Sequence, residues 1–225
     1  PFTARLASRA VDLAIAREGA QGMRVRYRFP REGVPEFVRT FCAWLADEQG
    51  IQPTEELRIA LYAHASNGGI RIDADGRTGT PGLFAAGEAT GGMHGADRIG
   101  GLSSANGLVF GHAAGEAAAA SAARRTDGAE GAPAAVPRVE ASDRAALLGL
   151  RGAMDERCLL GRTDEGLRKM GHLLDQLDEK NARIGSARLA NATLSARALV
   201  TAMLARTESR GAHHRADFPD EDPSQ

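Results

Sequence analysis

The feature that most constrains this chain is a glycine-dense stretch set between helical patterns. Gly82-Leu-Phe-Ala-Ala-Gly-Glu88 reads as a short apolar strand that ends on a glycine and a carboxylate. Glycines at 91, 92, 95, 100 and 101 follow. They permit positive φ and a close backbone approach to a ligand. An Ala-rich helix is expected from about Ser103 to Ala123, with its first N–H groups aimed at whatever lies in front. In open α/β sheets ligands lie at the carboxyl ends of strands, and a carboxylate there can accept hydrogen bonds from ribose hydroxyls. The residues alone thus describe a helix start facing an anion or a polar ring edge, and leave open which one.

Around this stretch the pattern is mostly helical. A helix is expected over 3–18, a short strand over 23–29, and a second helix from Pro35 to Gly50. Phe37, Val38, Phe41, Trp44 and Leu45 share one face of that second helix. Short strands are expected over 58–63, at Ile70 and Ile72, and over 82–86, with a turn at Asp75-Gly76. Residues 124–140 lack an apolar period and read as a linker. Ser142-Asp143 caps a helical tail with helices over 143–160, 164–182 and 186–208. Leu167, Met170, Leu173, Leu174 and Leu177 form one core stripe; Leu189, Leu194, Leu199, Met203 and Leu204 form another. Residues 219–225 are acidic and read as a frayed end.

Composition removes several function classes. Net charge is −1 and aromatic residues make up 4%, so neither a basic field nor a stacking platform for nucleic acid is expected. No run reaches the length of a membrane span. Cys42 and Cys158 lie outside any Cys-x-x-Cys spacing and read as reduced, buried thiols of a cytoplasmic protein; no metal set is expected. The sequence opens on Pro1 rather than Met, which reads as a fragment or a processed product.

Three motifs carry a family resemblance. Gly82-Leu-Phe-Ala-Ala-Gly-Glu88, followed by His94-Gly-Ala-Asp-Arg98-Ile-Gly-Gly and a Ser-led helix, is similar to the second flavin-binding segment of the succinate dehydrogenase, fumarate reductase and L-aspartate oxidase flavoproteins. Ala63-His64-Ala-Ser66-Asn-Gly68-Gly69 resembles the family's His-x-Thr-x-Gly-Gly. Glu208-Ser-Arg-Gly-Ala-His213-His-Arg215-Ala-Asp217-Phe-Pro219 resembles the signature that closes its helical domain. The short tail after Pro219 is most similar to that of L-aspartate oxidase.

The resemblance implies an α/β fold. Residues 1–57 would belong to a substrate-capping domain, 58–123 to a Rossmann-like FAD-binding domain, 124–142 to a flexible linker, and 143–225 to a C-terminal helical bundle. FAD is the implied cofactor. Glu88 would meet its ribose, Gly68 and Gly87 would let the backbone pass closely, and Ser103 and Ser104 would present N–H groups to the flavin ring. Arg98 would clamp a substrate carboxylate through its guanidinium fork. His64 and Ser66 would hydrogen-bond the substrate, and His94 would shape the site. The implied activity is oxidation of an amino-dicarboxylate; fumarate reductase or succinate dehydrogenase chemistry, or a catalytically inactive partner chain, are the alternatives.

The chain departs from the family in three places. No Gly-x-Gly-x-x-Gly loop opens a βαβ unit, so an N-terminal half or a separate subunit carrying that loop is an expected partner, making the protein a heteromer in the second case. Aligning Arg9 with the second Arg of the family's Arg-Asp-x-x-x-Arg stretch puts Ala4 at the first, with Arg5 one residue away. Asp97, Leu102 and Asn106 stand where relatives carry Asn, Asn and an acidic residue.

Overall fold

In the computed structural model, residues 9–26, 28, 33–52, 54–124 and 141–224 are described. The expected start of the first helix, with Ala4 and Arg5, and the linker beyond Arg124 lie outside them. The chain divides into two compact units, the smaller formed by Leu6–Tyr62 and the larger including Ala63–Gln225.

In the smaller unit, α1 spans Arg9–Arg17, β1 Met23–Val25, α2 Glu36–Gln49 and β2 Leu57–Ile59. Pro35 precedes α2 with φ −57°, a value that its ring fixes, and Gly50 closes the helix in the left-handed region at φ 66°. β1 and β2 pair antiparallel, with Met23 opposite Ile59 and Val25 opposite Leu57. Both strands are shorter than their apolar patterns, and positions 27 and 29 of the first pattern lie outside the described residues. Only Leu45 of α2 is buried; Phe37, Phe41 and Trp44 are exposed, with the Phe41 and Trp44 rings stacked at 6.0 Å.

The larger unit begins with an irregular segment. Where strands are expected at Ile70–Ile72 and 82–86, only isolated bridges form, Ile70 with Thr90 and Arg77 with Phe84. A strand needs a neighbour to satisfy its alternate N–H and C=O groups, and among the described residues of this segment none extends the ladder. The Asp75-Gly76 turn does form. Gly76, at φ 72°, packs so closely on α3 that an added Cβ would lie 2.6 Å from Ala114 Cβ. Helix α3 spans Leu102–Ala123 and is rich in apolar residues spread around its circumference rather than on one face, with an exposed His112–Glu116 pair. Such a helix is normally covered all round, yet only Asn106 and Ala114 are buried, and Leu108 and Val109 are exposed.

Helices α4 (Ala141–Cys158), α5 (Asp164–Ile184) and α6 (Ala187–Ala205) form a three-helix bundle. Thr163 caps α5 by accepting from Gly166 N, and Ser186 caps α6 by accepting from Leu189 N. The expected stripe on α5 is the core: Leu167, Met170, Leu174 and Leu177 are buried, with Leu173 packed beside them. The stripe on α6 differs. Leu189, Thr193, Ala196 and Val200 face the core, Met203 and Leu204 pack at its margin, and Leu194 and Leu199 are exposed. Helical spacing from Leu189 selects the smaller residues, which permit close helix approach, over the larger leucines. Asp143 is not a cap: it lies inside the first turn of α4, fully buried, and its Oδ2 accepts from Ser186 Oγ at 2.6 Å. Cys158 is buried, whereas Cys42 is only half-buried; both are free thiols.

The segment after α6 is tied down rather than frayed. Ser209 N donates to Asp220 O, Asp222 N to Glu208 Oε2, and Arg210 Nη2 to Asp222 O.

Candidate functional site

The site is built where two stretches of backbone run side by side. Ile70 N donates to Ala89 O at 2.8 Å, and Gly91 N donates to Ile70 O at 3.0 Å. A Cβ on Gly91 would lie 2.7 Å from Gly69 N, and one on Gly69 would collide with the Ala89 carbonyl, so only glycine fits at either position. Gly69 is thus the close-approach residue of the Gly-Gly pair, whereas Gly68 has open space around it. Gly87, at φ 71°, turns the chain into the short 3-10 helix Gly87–Ala89, and buried Thr90 secures the turn by donating to Gly87 O at 2.7 Å.

This contact brings the two predicted groups together. Ser66 N donates to Glu88 Oε1 at 2.9 Å, and Ser66 Oγ donates to Gly68 O at 3.1 Å. Glu88 is exposed, and its Oε2 remains open among the described residues. His64 lies exposed on the same segment, two residues before Ser66. Asn67, which the motif reading passed over, reaches the next loop by donating from Nδ2 to Ala96 O at 3.3 Å.

The Gly91–Gly101 loop delivers Arg98 to the start of α3. Gly101, at φ 86°, occupies the N-cap position, where it supplies no side-chain acceptor. Ser104 N turns back to Gly101 O at 3.1 Å, but Ser103 N–H makes no hydrogen bond among the described residues. Arg98 Nη1 donates to Ser103 Oγ at 3.2 Å. The half-buried guanidinium and the positive end of a long helix therefore converge on one spot, where they favour an anion or an electron-rich ring edge. One turn into α3, Asn106 Nδ2 lies 3.5 Å from His94 Nε2. His94 Nδ1 and Asn106 Oδ1 are buried without a partner among the described residues. Buried polar atoms are rarely left unpaired, so both mark a place where a further group is needed.

The C-terminal signature braces this loop. Ala212 N donates to Ala96 O at 2.9 Å. Gly211, at φ 57°, passes so close that an added Cβ would lie 2.6 Å from the same oxygen. Behind the turn, fully buried Glu208 accepts from Arg206 and Arg210. Its carboxyl is held down to about 2, first by the Arg210 hydrogen bond, then by the Asp222 N–H and Arg206, against the opposing effect of burial. Arg215 donates to both carboxylate oxygens of Asp217 through Nε and Nη2, and Asp217 is likewise held down to about 2. Arg162 Nη1 lies 2.8 Å from His213 Nδ1, and burial, followed by that positive charge, lowers the His213 pKa. These residues brace the loop rather than face it. The sequence signalled them only as a motif, without their pairing.

These groups suit FAD. An uncapped helix start, an orphan N–H at Ser103, unpaired buried atoms on His94 and Asn106, and an exposed carboxylate beside tight glycines supply donors and acceptors for a polar ring and a ribose. The comparisons agree with the geometry. Residues 5–104 match the FAD binding domain family, and residues 148–225 match the fumarate reductase flavoprotein C-terminal family.

The chain belongs to this flavoprotein family. FAD is the cofactor of the matched domain. Over 192 residues the chain is 40% identical to the L-aspartate oxidase of Caulobacter vibrioides, an alignment that covers 84% of this chain and 35% of that protein. It is 36% identical to the fumarate reductase flavoprotein subunit of Mycobacterium tuberculosis, covering 83% of this chain and 37% of that one. Among solved structures it is similar to the Mycobacterium smegmatis Sdh1 complex in the apo form, with a TM-score of 0.76 and 28% identity over 97% of this chain and 43% of that one. The chain thus spans under half the length of these relatives. Among the described residues, no helix is long and apolar enough to cross a membrane, and no group of His, Cys, Asp and Glu could hold a metal ion.

Proposed function

We propose that this chain is the C-terminal part of an FAD-dependent oxidoreductase that oxidises an amino-dicarboxylate, as an L-aspartate oxidase does. The observation that carries this reading is Arg98, held by Ser103 at the uncapped start of α3, beside a segment that joins Ser66 to Glu88. Arg98 binds a substrate carboxylate through its guanidinium fork. His64 and Ser66 hydrogen-bond the rest of the dicarboxylate and fix its orientation. Ser103 presents its N–H to the ring edge, whereas the Ser104 N–H is turned back to Gly101 O; Glu88 holds the ribose, and the glycines at 68 and 87 let the backbone pass close to it. His94, backed by Asn106, shapes the loop that carries Arg98. FAD, when bound, supplies the hydride acceptor.

The exposed apolar flank of α3 and the unextended bridges at Ile70 and Phe84 support a further part to the assembly. A dinucleotide-binding unit carrying the Gly-x-Gly-x-x-Gly loop, either on the same polypeptide or as a second subunit in a heteromer, would supply both a sheet and a cover. A fumarate-reductase-like activity is the second reading, favoured by the 36% identity to the mycobacterial flavoprotein. Substrate screening against Arg98→Ala tests the first reading. Loss of this carboxylate contact is expected to weaken dicarboxylate binding by about 2–5 kcal/mol while flavin content stays normal. Unchanged affinity would remove Arg98 from the substrate site.

A further inference from the structure

A second cationic site lies in the helical bundle, on residues that the flavin reading does not use. Arg144, Leu147, Leu148 and Arg151 from α4 and Arg188 from α6 line a cleft of about 300 Å³. That volume is at the lower end of small-molecule sites, which run from roughly 300 to 1,000 Å³. The three arginines are exposed, and none makes a hydrogen bond or ion pair among the described residues. Several arginines elsewhere in the bundle are paired, Arg168 with Asp164, Arg197 with Asp175 and Asp178, and Arg157 with Glu156, whereas Arg183 in the last turn of α5 has no ion pair among the described residues. No carboxylate lines the cleft. Asp143, the neighbour of Arg144, is fully buried and bound to Ser186 Oγ, and exposed Asp155, one turn beyond Arg151, makes no ion pair with it.

The placement of Arg188 runs against helix electrostatics. A helix start favours acidic side chains, and a cation there is unfavourable. Helix α5 obeys, with Asp164 and Glu165 in its first turn and Arg183 in its last. Helix α6 has no acidic residue in its first turn and carries Arg188 there instead. Arg144 directly follows the first turn of α4, and α4 packs on α6. The start of α6 and three guanidiniums, unpaired among the described residues, therefore add positive potential over one small cleft, whereas α4 keeps Asp143 in its own first turn. Leu147 is buried in its wall and Leu148 is exposed beside it, so the cleft offers apolar surface to a carbon skeleton as well as charge to its ends.

We infer that this cleft binds a small organic polyanion with at least two carboxylate or phosphate groups, at a site separate from the Arg98 loop. Guanidinium forks hold either kind of oxyanion bidentately. The inference does not depend on the flavin reading, because it uses only α4 and α6, and it is read without flavin. The test is calorimetric titration of the full chain with pyrophosphate, citrate, inorganic phosphate and acetate, alongside thermal unfolding with each probe. Saturable binding of pyrophosphate or citrate is expected at least about tenfold tighter than phosphate or acetate, with a raised unfolding midpoint. Which of the two binds more tightly assigns the phosphate or the carboxylate source. Arg151→Gln and Arg188→Gln should each weaken that binding by about tenfold or more, with an unchanged helical circular dichroism spectrum. Arg168→Gln, which removes one charge elsewhere on the bundle, should leave it intact. The inference is overturned if no probe saturates below about 10 mM. It is also overturned if Arg168→Gln weakens binding as much as the cleft variants do, or if only a long acidic peptide binds.

Discussion

Replacing Arg215 with alanine should loosen the junction that closes the helical bundle. Arg215 is 1% exposed. Its Nε and Nη2 donate to Asp217 Oδ1 and Oδ2 at 2.8 and 2.9 Å, and its Nη1 donates to Met203 O at 2.8 Å. That carbonyl lies in the last turn of α6, where helical acceptors have no partner of their own. The guanidinium also stands 4.9 Å from the centre of the Phe218 ring. Asp217 in turn accepts from Asp164 N at 2.7 Å, which ties the same cluster to the start of α5. One side chain therefore joins the end of α6 to the beginning of α5. Breaking a buried ion pair from one side costs about 3–5 kcal/mol. Asp217 keeps partial access to water, so its stranded charge is partly resolvated and the lower end applies, about 3 kcal/mol. Urea denaturation at neutral pH, followed by far-ultraviolet circular dichroism, measures the loss. A double-mutant cycle with Asp217→Asn isolates the pair. A loss below about 1 kcal/mol, or strict additivity in the cycle, would refute the junction role.

Three further outcomes follow from the same contacts. Gly211→Ala places a Cβ against the Ala96 carbonyl at a left-handed φ, so it should cost about 1–2 kcal/mol and speed amide exchange at Ala212; unchanged protection at Ala212 would contradict the bracing of the Arg98 loop. Glu208 and Asp217 are both held below their ordinary values of 4.5 and 3.8, to about 2, so their stabilisation is complete above those values and is lost as pH falls toward about 2. Urea midpoints measured across that window should drop in the wild type and drop less in Glu208→Gln. His213, which burial and Arg162 keep from protonating, should add an earlier loss as pH falls below 6.5, removed in His213→Gln.

The helices were the most legible part of the sequence, because their periodicity and punctuation agree locally. Thr163 and Ser186 cap α5 and α6, and Gly50 and Gly185 close α2 and α5 in the left-handed region. Among the motif residues, Ser66 N–H meets Glu88 and Arg98 meets Ser103, pairings that the motif spacing did not indicate. The strands at Ile70 and Phe84 were less legible, since strand formation depends on neighbours that one apolar run does not reveal. On α6 the large leucines drew attention away from Thr193 and Ala196, whose positions rather than sizes decide burial. Asp143 looked like a cap, and its burial against Ser186 involves a partner 43 residues away in sequence, which no local pattern records. The acidic tail looked frayed because charge was visible, while Glu208, Ser209 and Arg210, which bind it, belonged to a motif read for its family resemblance.

The most direct test of the proposed function is a visible absorption spectrum of the native protein containing this chain, followed by anaerobic titration with L-aspartate. Bound flavin is expected, with bands that bleach as L-aspartate is added to the wild type and persist in Arg98→Ala at the same concentration. A protein without flavin, or a flavin that L-aspartate does not reduce, would contradict the assignment of this chain to an amino-dicarboxylate oxidoreductase; reduction by succinate instead would favour the second reading.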